Sequence, residues 1–166
     1  FYTAYLNLFI EGGLAKGETV LIHGGASGVG TAGIQMAKRA GCRVLVTAGR
    51  SDKIDFCKKL GADVAVNYKE EEFETAIRKE APEGVDVILD IAAAAYLNPN
   101  MSLLKTGGRL VIIALLTGSM AEINLSVLMR KRQRIIGSVL RSRSLEEKVE
   151  LHDLFEENVW PHLLSG

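Results

Sequence analysis

The sequence predicts a single α/β domain in which helices cover both faces of one parallel sheet. Short apolar segments alternate along the chain with longer segments whose apolar residues recur at helical spacing. The strand-like segments are apolar without alternation, as in Val20 to Ile22, and this pattern is typical of strands buried on both faces. With 166 residues, of which 48% are hydrophobic, the chain can bury one sizeable core.

Six strands and seven helices are predicted in chain order. The strands are expected at 19–23, 43–48, 63–66, 85–90, 109–115 and 134–140. The helices are expected at 1–10, 31–40, 51–60 (with Ser51 as N-cap), 70–80, 95–104, 125–132 and 145–158. Parallel neighbours need crossover helices, and right-handed crossovers on both faces give the doubly wound Rossmann sheet in the order 3-2-1-4-5-6. Ligands of such sheets bind where strands 1 and 4 diverge.

A glycine cluster, GGASGVG at 24–30, joins the first strand to the next helix. Because glycine has no β-carbon, a pyrophosphate can approach the free amides and the positive dipole at the start of that helix. The loop therefore predicts a dinucleotide-phosphate site. The residues expected to form it are Gly25, Ser27, Gly28, Val29 and Gly30.

Other nucleotide-binding loops fit these residues less well. The loop departs from the Gly-x-Gly-x-x-Gly pattern because Ser27 replaces the middle glycine. Its glycines also fit the short-chain dehydrogenases, but none of the four tyrosines is followed by lysine four residues later, as the catalytic pair of those enzymes requires. A P-loop is excluded because its pattern ends in Gly-Lys-Thr or Gly-Lys-Ser, whereas Gly30 is followed directly by Thr31.

The end of the second strand bears on which cofactor binds. An acidic residue there would hold the ribose hydroxyls of NAD, whereas basic residues accept the 2′-phosphate of NADP. Asp52 is expected inside the next helix, and the strand tip offers Gly49, Arg50, Ser51 and Lys53. This set favours NADP and disfavours an S-adenosylmethionine methyltransferase. The alternative, that Arg50 and Lys53 are only solvated charges, remains open.

Composition excludes several other classes of function. Twenty basic and twenty acidic residues balance, which gives no support to nucleic-acid binding. Cys42 and Cys57 have neither disulfide nor zinc-ligand spacing and are expected to be reduced core thiols, and no metal site is predicted. No apolar segment is long enough to span a membrane, so a cytoplasmic location is expected. His23 is expected to be packed in the core or to brace the loop, and Asp90 to brace a strand end; no catalytic residue is predicted.

Three segments carry a resemblance to a known family. They are FYTAYLNLF at 1–9, KGETVLIHGGASGVG at 16–30, and LGAD at 60–63 with NY at 67–68. They resemble the zinc-free quinone oxidoreductases related to zeta-crystallin, within the medium-chain dehydrogenase/reductase superfamily. LRSRSLEEK at 140–148 is most similar to the branch that includes the tumour-suppressor-inducible quinone reductase.

The resemblance implies NADPH as cofactor and places further residues around it. It implies that Lys53 and Tyr68 flank the adenosine 2′-phosphate, and that Thr3 lies near the nicotinamide. The strand ends implied on the nicotinamide side are Asp90 and Ile91 (continuing to Ala92) together with Ile113, Ala114 and Leu115. The chain departs from the family at Ala114 and at 91–95, where glycine is common, so an added methyl is expected to crowd this side.

The implied activity is hydride transfer from NADPH to a quinone or enone. Residues 1–166 are expected to be the cofactor domain alone, cut at both ends, with the GroES-like substrate domain outside them; the domain alone is expected to be inactive. A homodimer through the last strand is implied, although a shielded edge is the alternative. The other functional hypothesis is a non-enzymic NAD(P)-sensing or structural module, because fold alone does not establish chemistry.

Overall fold

The computed structural model describes residues 1–164 and contains one six-stranded sheet. Its order is β3-β2-β1-β4-β5-β6, and all five strand pairs are parallel. The strands are β1 Thr19–His23, β2 Arg43–Ala48, β3 Val64–Asn67, β4 Val85–Asp90, β5 Leu104–Ile112 and β6 Arg134–Gly137. The predicted Rossmann order is confirmed.

Helices connect these strands. They are α1 Tyr2–Tyr5, α2 Gly28–Arg39, α3 Ser51–Lys59, α4 Phe73–Glu80, α5 Leu97–Leu103, α6 Leu125–Arg130, α7 Leu145–Asn158 and α8 Trp160–Leu164. A π-helix, Leu6–Glu11, continues α1, and short 3-10 turns occupy Ala94–Tyr96 and Leu140–Ser142. Within residues 1–164, no helix is both long and apolar enough to cross a membrane.

The core has one layer on each face of the sheet. On the first face, Ile34 of α2 and Cys57 of α3 pack on Ile22 and Val46. On the second face, side chains of α4 and α5 pack on Leu21 and its neighbours. Val20, Leu21 and Ile22 are all fully buried, which explains why the strand sequence does not alternate. A third cluster joins α1 and α2 to Phe155 of α7.

Several predicted element ends were wrong. Strand β5 was expected to reach Leu115, but it ends at Ile112 because the amides of Leu116 and Thr117 bond to the carbonyls of Ile91 and Ala92. Strand β6 therefore loses its partner and ends at Gly137 rather than Leu140. The helix expected at 70–80 begins three residues later, at Phe73, and the helix expected at 1–10 is largely π-helix.

Candidate functional site

The glycine loop turns the chain from β1 into α2 at the carboxyl edge of the sheet. Helix α2 begins at Gly28, earlier than the predicted Thr31, because the Ser27 hydroxyl accepts a hydrogen bond from the amide of Gly30 at 3.0 Å. Gly24 turns the chain with φ of +69°, a conformation that favours glycine. The second half of the predicted loop is thus the first turn of a 12-residue helix.

The loop glycines have different roles. A β-carbon at Gly30 would lie 2.4 Å from the carbonyl oxygen of Gly24, and one at Gly25 would lie 2.8 Å from Cβ of Val46. Packing therefore requires glycine at positions 25 and 30. A β-carbon at Gly28 would meet nothing within 4 Å. Gly28 faces open space.

The start of α2 leaves two donors free. Among residues 1–164, the amides of Gly28 and Val29 have no hydrogen-bond acceptor, whereas those of Gly30 and Thr31 both bond to Ser27. Unpaired amides at a helix N-terminus carry partial positive charge and attract anions. Together with the open space above Gly28, they form a cradle of the kind that holds a phosphate.

The tip of β2 presents one free cation. The Arg50 guanidinium donates to the Asp52 carboxylate (Nε to Oδ1, 2.9 Å), and this hydrogen bond lowers the pKa of Asp52 to about 2. In the part of the chain that the structure describes, Lys53 forms no ion pair or hydrogen bond through its side chain and is exposed. The predicted basic set therefore divides into a paired arginine and an available lysine.

Ser51 is not the N-cap of α3, contrary to the prediction. The N-cap is Arg50, and the Ser51 hydroxyl donates to Glu70 at 3.4 Å. Tyr68 lies over Gly49: a β-carbon there would be 2.7 Å from its hydroxyl oxygen. The structure thus brings these two predicted residues into contact, and Tyr68 remains 44% exposed.

The loops after β4 and β5 are joined to each other and to the glycine loop. The amide of Ile113 donates to the carbonyl of Asp90 at 2.9 Å. The Ile91 side chain covers Gly24, where a β-carbon would lie 2.4 Å from Cδ1. Ala114 is half-buried, and Leu115 is 57% exposed just beyond the end of β5.

Beneath these loops lies a buried polar chain that begins at His23. Its Nδ1 is 3.0 Å from the Thr47 hydroxyl, and its Nε2 is 2.8 Å from Oδ1 of Asn100. Asn100 in turn donates to Asp90 at 3.1 Å. Burial lowers the pKa of His23, although Asp90 and Asn100 oppose that shift. His23 is thus a packed histidine bonded to β2 and α5, and Asp90 braces the end of β4, as predicted, through the amides of Ala92 and Ala93.

Sequence reasoning missed Thr47 and Asn100. Neither lies in a motif, and 77 residues separate His23 from Asn100. Thr3, predicted beside the nicotinamide, lies on α1, where its carbonyl accepts a hydrogen bond from the Asn7 side chain. Within residues 1–164, no hydrogen bond joins Thr3 to the other predicted site residues.

Comparison with known proteins identifies the family. The family model described as zinc-binding dehydrogenase matches residues 28–157. The chain belongs to the zinc-binding dehydrogenase family. Together with the quinone oxidoreductases among its relatives, this match confirms the resemblance to quinone oxidoreductases and to their superfamily.

Relatives of the chain include named reductases. It is 34% identical to human quinone oxidoreductase over 148 residues, which cover 89% of the chain and 44% of that protein. It is 42% identical to prostaglandin reductase 1 of Rattus norvegicus over 111 residues, covering 66% of the chain and 34% of that protein. The chain spans between a third and a half of the length of the curated relatives it matches.

Solved structures share the fold. The quinone oxidoreductase of Thermus thermophilus, solved alone and in complex with NADPH, superposes with a TM-score of 0.82 and 31% identity, covering 96% of this chain and 50% of that one. AibC superposes with a TM-score of 0.77 and 31% identity, over 82% of this chain and 38% of that one.

The description of the family names zinc, but the described residues offer no set of ligands for it. Among residues 1–164, no group of three or more His, Cys, Asp or Glu side chains is placed to hold a metal ion. Cys42 and Cys57 are free and buried, and burial raises the pKa of both thiols. The described residues therefore do not fit a zinc site, and no chemical step is assigned to zinc.

Proposed function

We propose that this chain is the NADPH-binding domain of a zinc-independent reductase that transfers hydride to a quinone or an enone. The observation that carries this proposal is the cradle at the start of α2, where two amides without an acceptor lie beside the open space at Gly28. The named relatives support the reaction class, and the NADPH complex of a relative 31% identical to this chain supports the cofactor.

Each part of the dinucleotide has a proposed place. The amides of Gly28 and Val29 bind the pyrophosphate, in the loop formed by Gly25, Ser27 and Gly30. Lys53 binds the adenosine 2′-phosphate as a charge-assisted donor, beside Gly49, Arg50, Ser51 and Tyr68. On the nicotinamide side we place Asp90, Ile91, Ile113, Ala114, Leu115 and Thr3. The bound cofactor supplies the hydride, and the chain supplies position.

The proposal assigns substrate binding to a domain outside these residues. The matched relatives are more than twice as long as the aligned segments. We therefore expect residues 1–166 to bind NADPH but to reduce no quinone alone. The two free, buried cysteines support a reducing compartment such as the cytoplasm.

We also propose a homodimer formed through β6. This strand lies at one edge of the sheet; Ile135 within it is 37% exposed, and Val139, two residues beyond its end, is 59% exposed. A second copy of the same strand would pair the free edge. Light scattering is expected to give twice the monomer mass, and Ile135→Lys is expected to halve it without loss of fold. A monomeric wild-type chain would contradict this part of the proposal.

Calorimetric titration of the chain with NADPH and NADH tests the cofactor assignment. We expect NADPH to bind about tenfold more tightly, because one added charge-assisted contact contributes ~1.5–3 kcal/mol. Equal affinities would remove the support for NADP, and binding of neither cofactor would overturn the proposed function.

A further inference from the structure

Asn100 stands between two loops of the proposed cofactor site. It lies on α5, and its side chain is fully buried. Its Oδ1 is 2.8 Å from Nε2 of His23, at the end of β1, and its Nδ2 is 3.1 Å from Oδ2 of Asp90, at the end of β4. One amide group thus connects the strand that enters the glycine loop with the strand beyond the switch point.

The hydrogen bonds of Asp90 fix the orientation of the Asn100 amide group. The Asp90 carboxylate accepts from the amides of Ala92 and Ala93 as well as from Asn100, so the Asn100 NH₂ group must face it. The Asn100 oxygen then faces His23, which must carry its proton on Nε2. The Thr47 hydroxyl donates to the other ring nitrogen. Each of these four side chains therefore has a hydrogen-bond partner.

Asp90 holds the following loop in an unfavourable shape. Ala93 has φ of +67°, a left-handed conformation that alanine rarely adopts, and its amide is 3.2 Å from both carboxylate oxygens. The amide of Ala92 lies 2.7 Å from Oδ1. On its other side, the loop packs Ile91 against Gly24. The carboxylate therefore maintains the loop shape that brings Ile91 to the glycine loop.

We propose that Asn100 is a positioning residue for the nicotinamide half of the dinucleotide. This inference rests on the proposed function. A doubly wound sheet binds one nucleotide with each half, on either side of the switch point between β1 and β4. Lys53 and Tyr68 lie on the β2–β3 side and take the adenosine half, so the loops after β4 and β5 face the nicotinamide half. Asn100 acts on that half through Asp90.

No other side chain of similar size satisfies both neighbours. Asn100→Ala leaves the Asp90 carboxylate and the His23 ring without one partner each, in a fully buried place. Asn100→Asp keeps the acceptor for His23 but sets a second carboxylate against Asp90. Both variants release the β4 loop, and the second does so without creating a cavity.

Affinities for two ligands distinguish a positioning role of Asn100 from a general contribution to folding. NADPH spans both halves of the site, whereas adenosine 2′,5′-bisphosphate occupies only the adenosine half. Titration of the full chain is expected to show NADPH binding about tenfold weaker in Asn100→Ala and Asn100→Asp, with the affinity for adenosine 2′,5′-bisphosphate changed by less than about twofold. Asn98→Ala is the matched control, because Asn98 lies on the same helix with an exposed side chain.

The outcomes are distinguishable. Equal weakening of both ligands, or no weakening of either, would overturn the assignment of Asn100 while leaving the proposed function in place. A wild-type chain that binds neither ligand would overturn the proposed function and this inference with it. If Asn100→Ala does not fold, the comparison is made with Asn100→Asp alone.

Discussion

Gly30 packs directly against the carbonyl group of Gly24. The two residues lie at opposite ends of the glycine loop, and a β-carbon at position 30 would come within 2.4 Å of the Gly24 oxygen and 2.6 Å of the Gly25 oxygen. Because those atoms belong to the main chain, they cannot move aside as a side chain could. The contact fixes where α2 starts, and it aims the first amides of the helix into solvent.

Gly28 and Gly30 are expected to respond oppositely to alanine. Gly30→Ala should lower the free energy of unfolding by ~1–3 kcal/mol or more, which is the typical cost of overpacking. Gly28→Ala should raise it slightly, because alanine favours helix by up to ~1 kcal/mol and no atom opposes the added carbon. Urea denaturation measures both.

NADPH binding is the second measurement for Gly28→Ala. Since the open space at Gly28 is the proposed pyrophosphate cradle, Gly28→Ala should weaken NADPH about tenfold in a protein that is at least as stable as the wild type. Undiminished NADPH binding by this variant would show that the cradle is elsewhere.

Ser27→Ala is expected to cost about 1 kcal/mol of stability through loss of the helix cap. Ser144→Ala is the matched control, because Ser144 caps α7 by the same type of bond, to the amide of Glu147 at 3.2 Å. Chemical denaturation should give similar losses for both variants, and calorimetry should find NADPH binding weakened only for Ser27→Ala. Equal affinities in the two variants would contradict a role of this loop in binding.

Lys53→Ala is expected to reduce the preference for NADPH over NADH by about tenfold, since it removes the free cation at the tip of β2. Arg50→Ala should change this preference less, because Asp52 already occupies its guanidinium. Titration of each variant with both cofactors measures the ratio. A larger effect at Arg50 than at Lys53 would reverse the assignment.

Stability is expected to fall in mildly acidic solution because of His23. Burial lowers the pKa of this ring below its ordinary value of 6.5. Just below pH 6.5 the ring is therefore protonated in the unfolded chain but neutral in the folded chain. The free energy of unfolding should therefore decrease as the pH falls from about 6.5 towards the lower folded-state pKa. Denaturation of His23→Gln over this range should give a flatter profile.

Carboxylates affect the free energy of unfolding in a lower pH range than His23 does. A hydrogen bond from Arg109 lowers the pKa of Glu18 from 4.5, so its contribution is lost only as the pH falls below that value. An unchanged slope between pH 6.5 and about 5 in His23→Gln would contradict the neutral, buried state of His23.

The sequence predicted the sheet well because burial on both faces leaves a direct trace. Val20 to Ile22 are apolar without a break since each is fully covered, and the crossover rule then orders the strands. The glycine loop was found because its four glycines cluster within seven residues, between a strand pattern and a helix pattern. These features are local, or follow from a general rule of chain topology.

Features that depend on distant partners were missed. The early start of α2 was missed for a local reason, because the Ser27 cap outweighs the poor helix propensity of Gly28 and Gly30. The end of β5 depends on carbonyls of the β4 loop, and the role of Asn100 depends on His23 and Asp90. No periodicity or spacing in one sequence reports such contacts.

A crystal structure of the chain with NADPH would show whether the start of α2 binds the pyrophosphate. We expect the pyrophosphate at the first turn of α2, with its oxygens accepting hydrogen bonds from the amides of Gly28 and Val29. A dinucleotide bound elsewhere, with those two amides still unpaired, would contradict it.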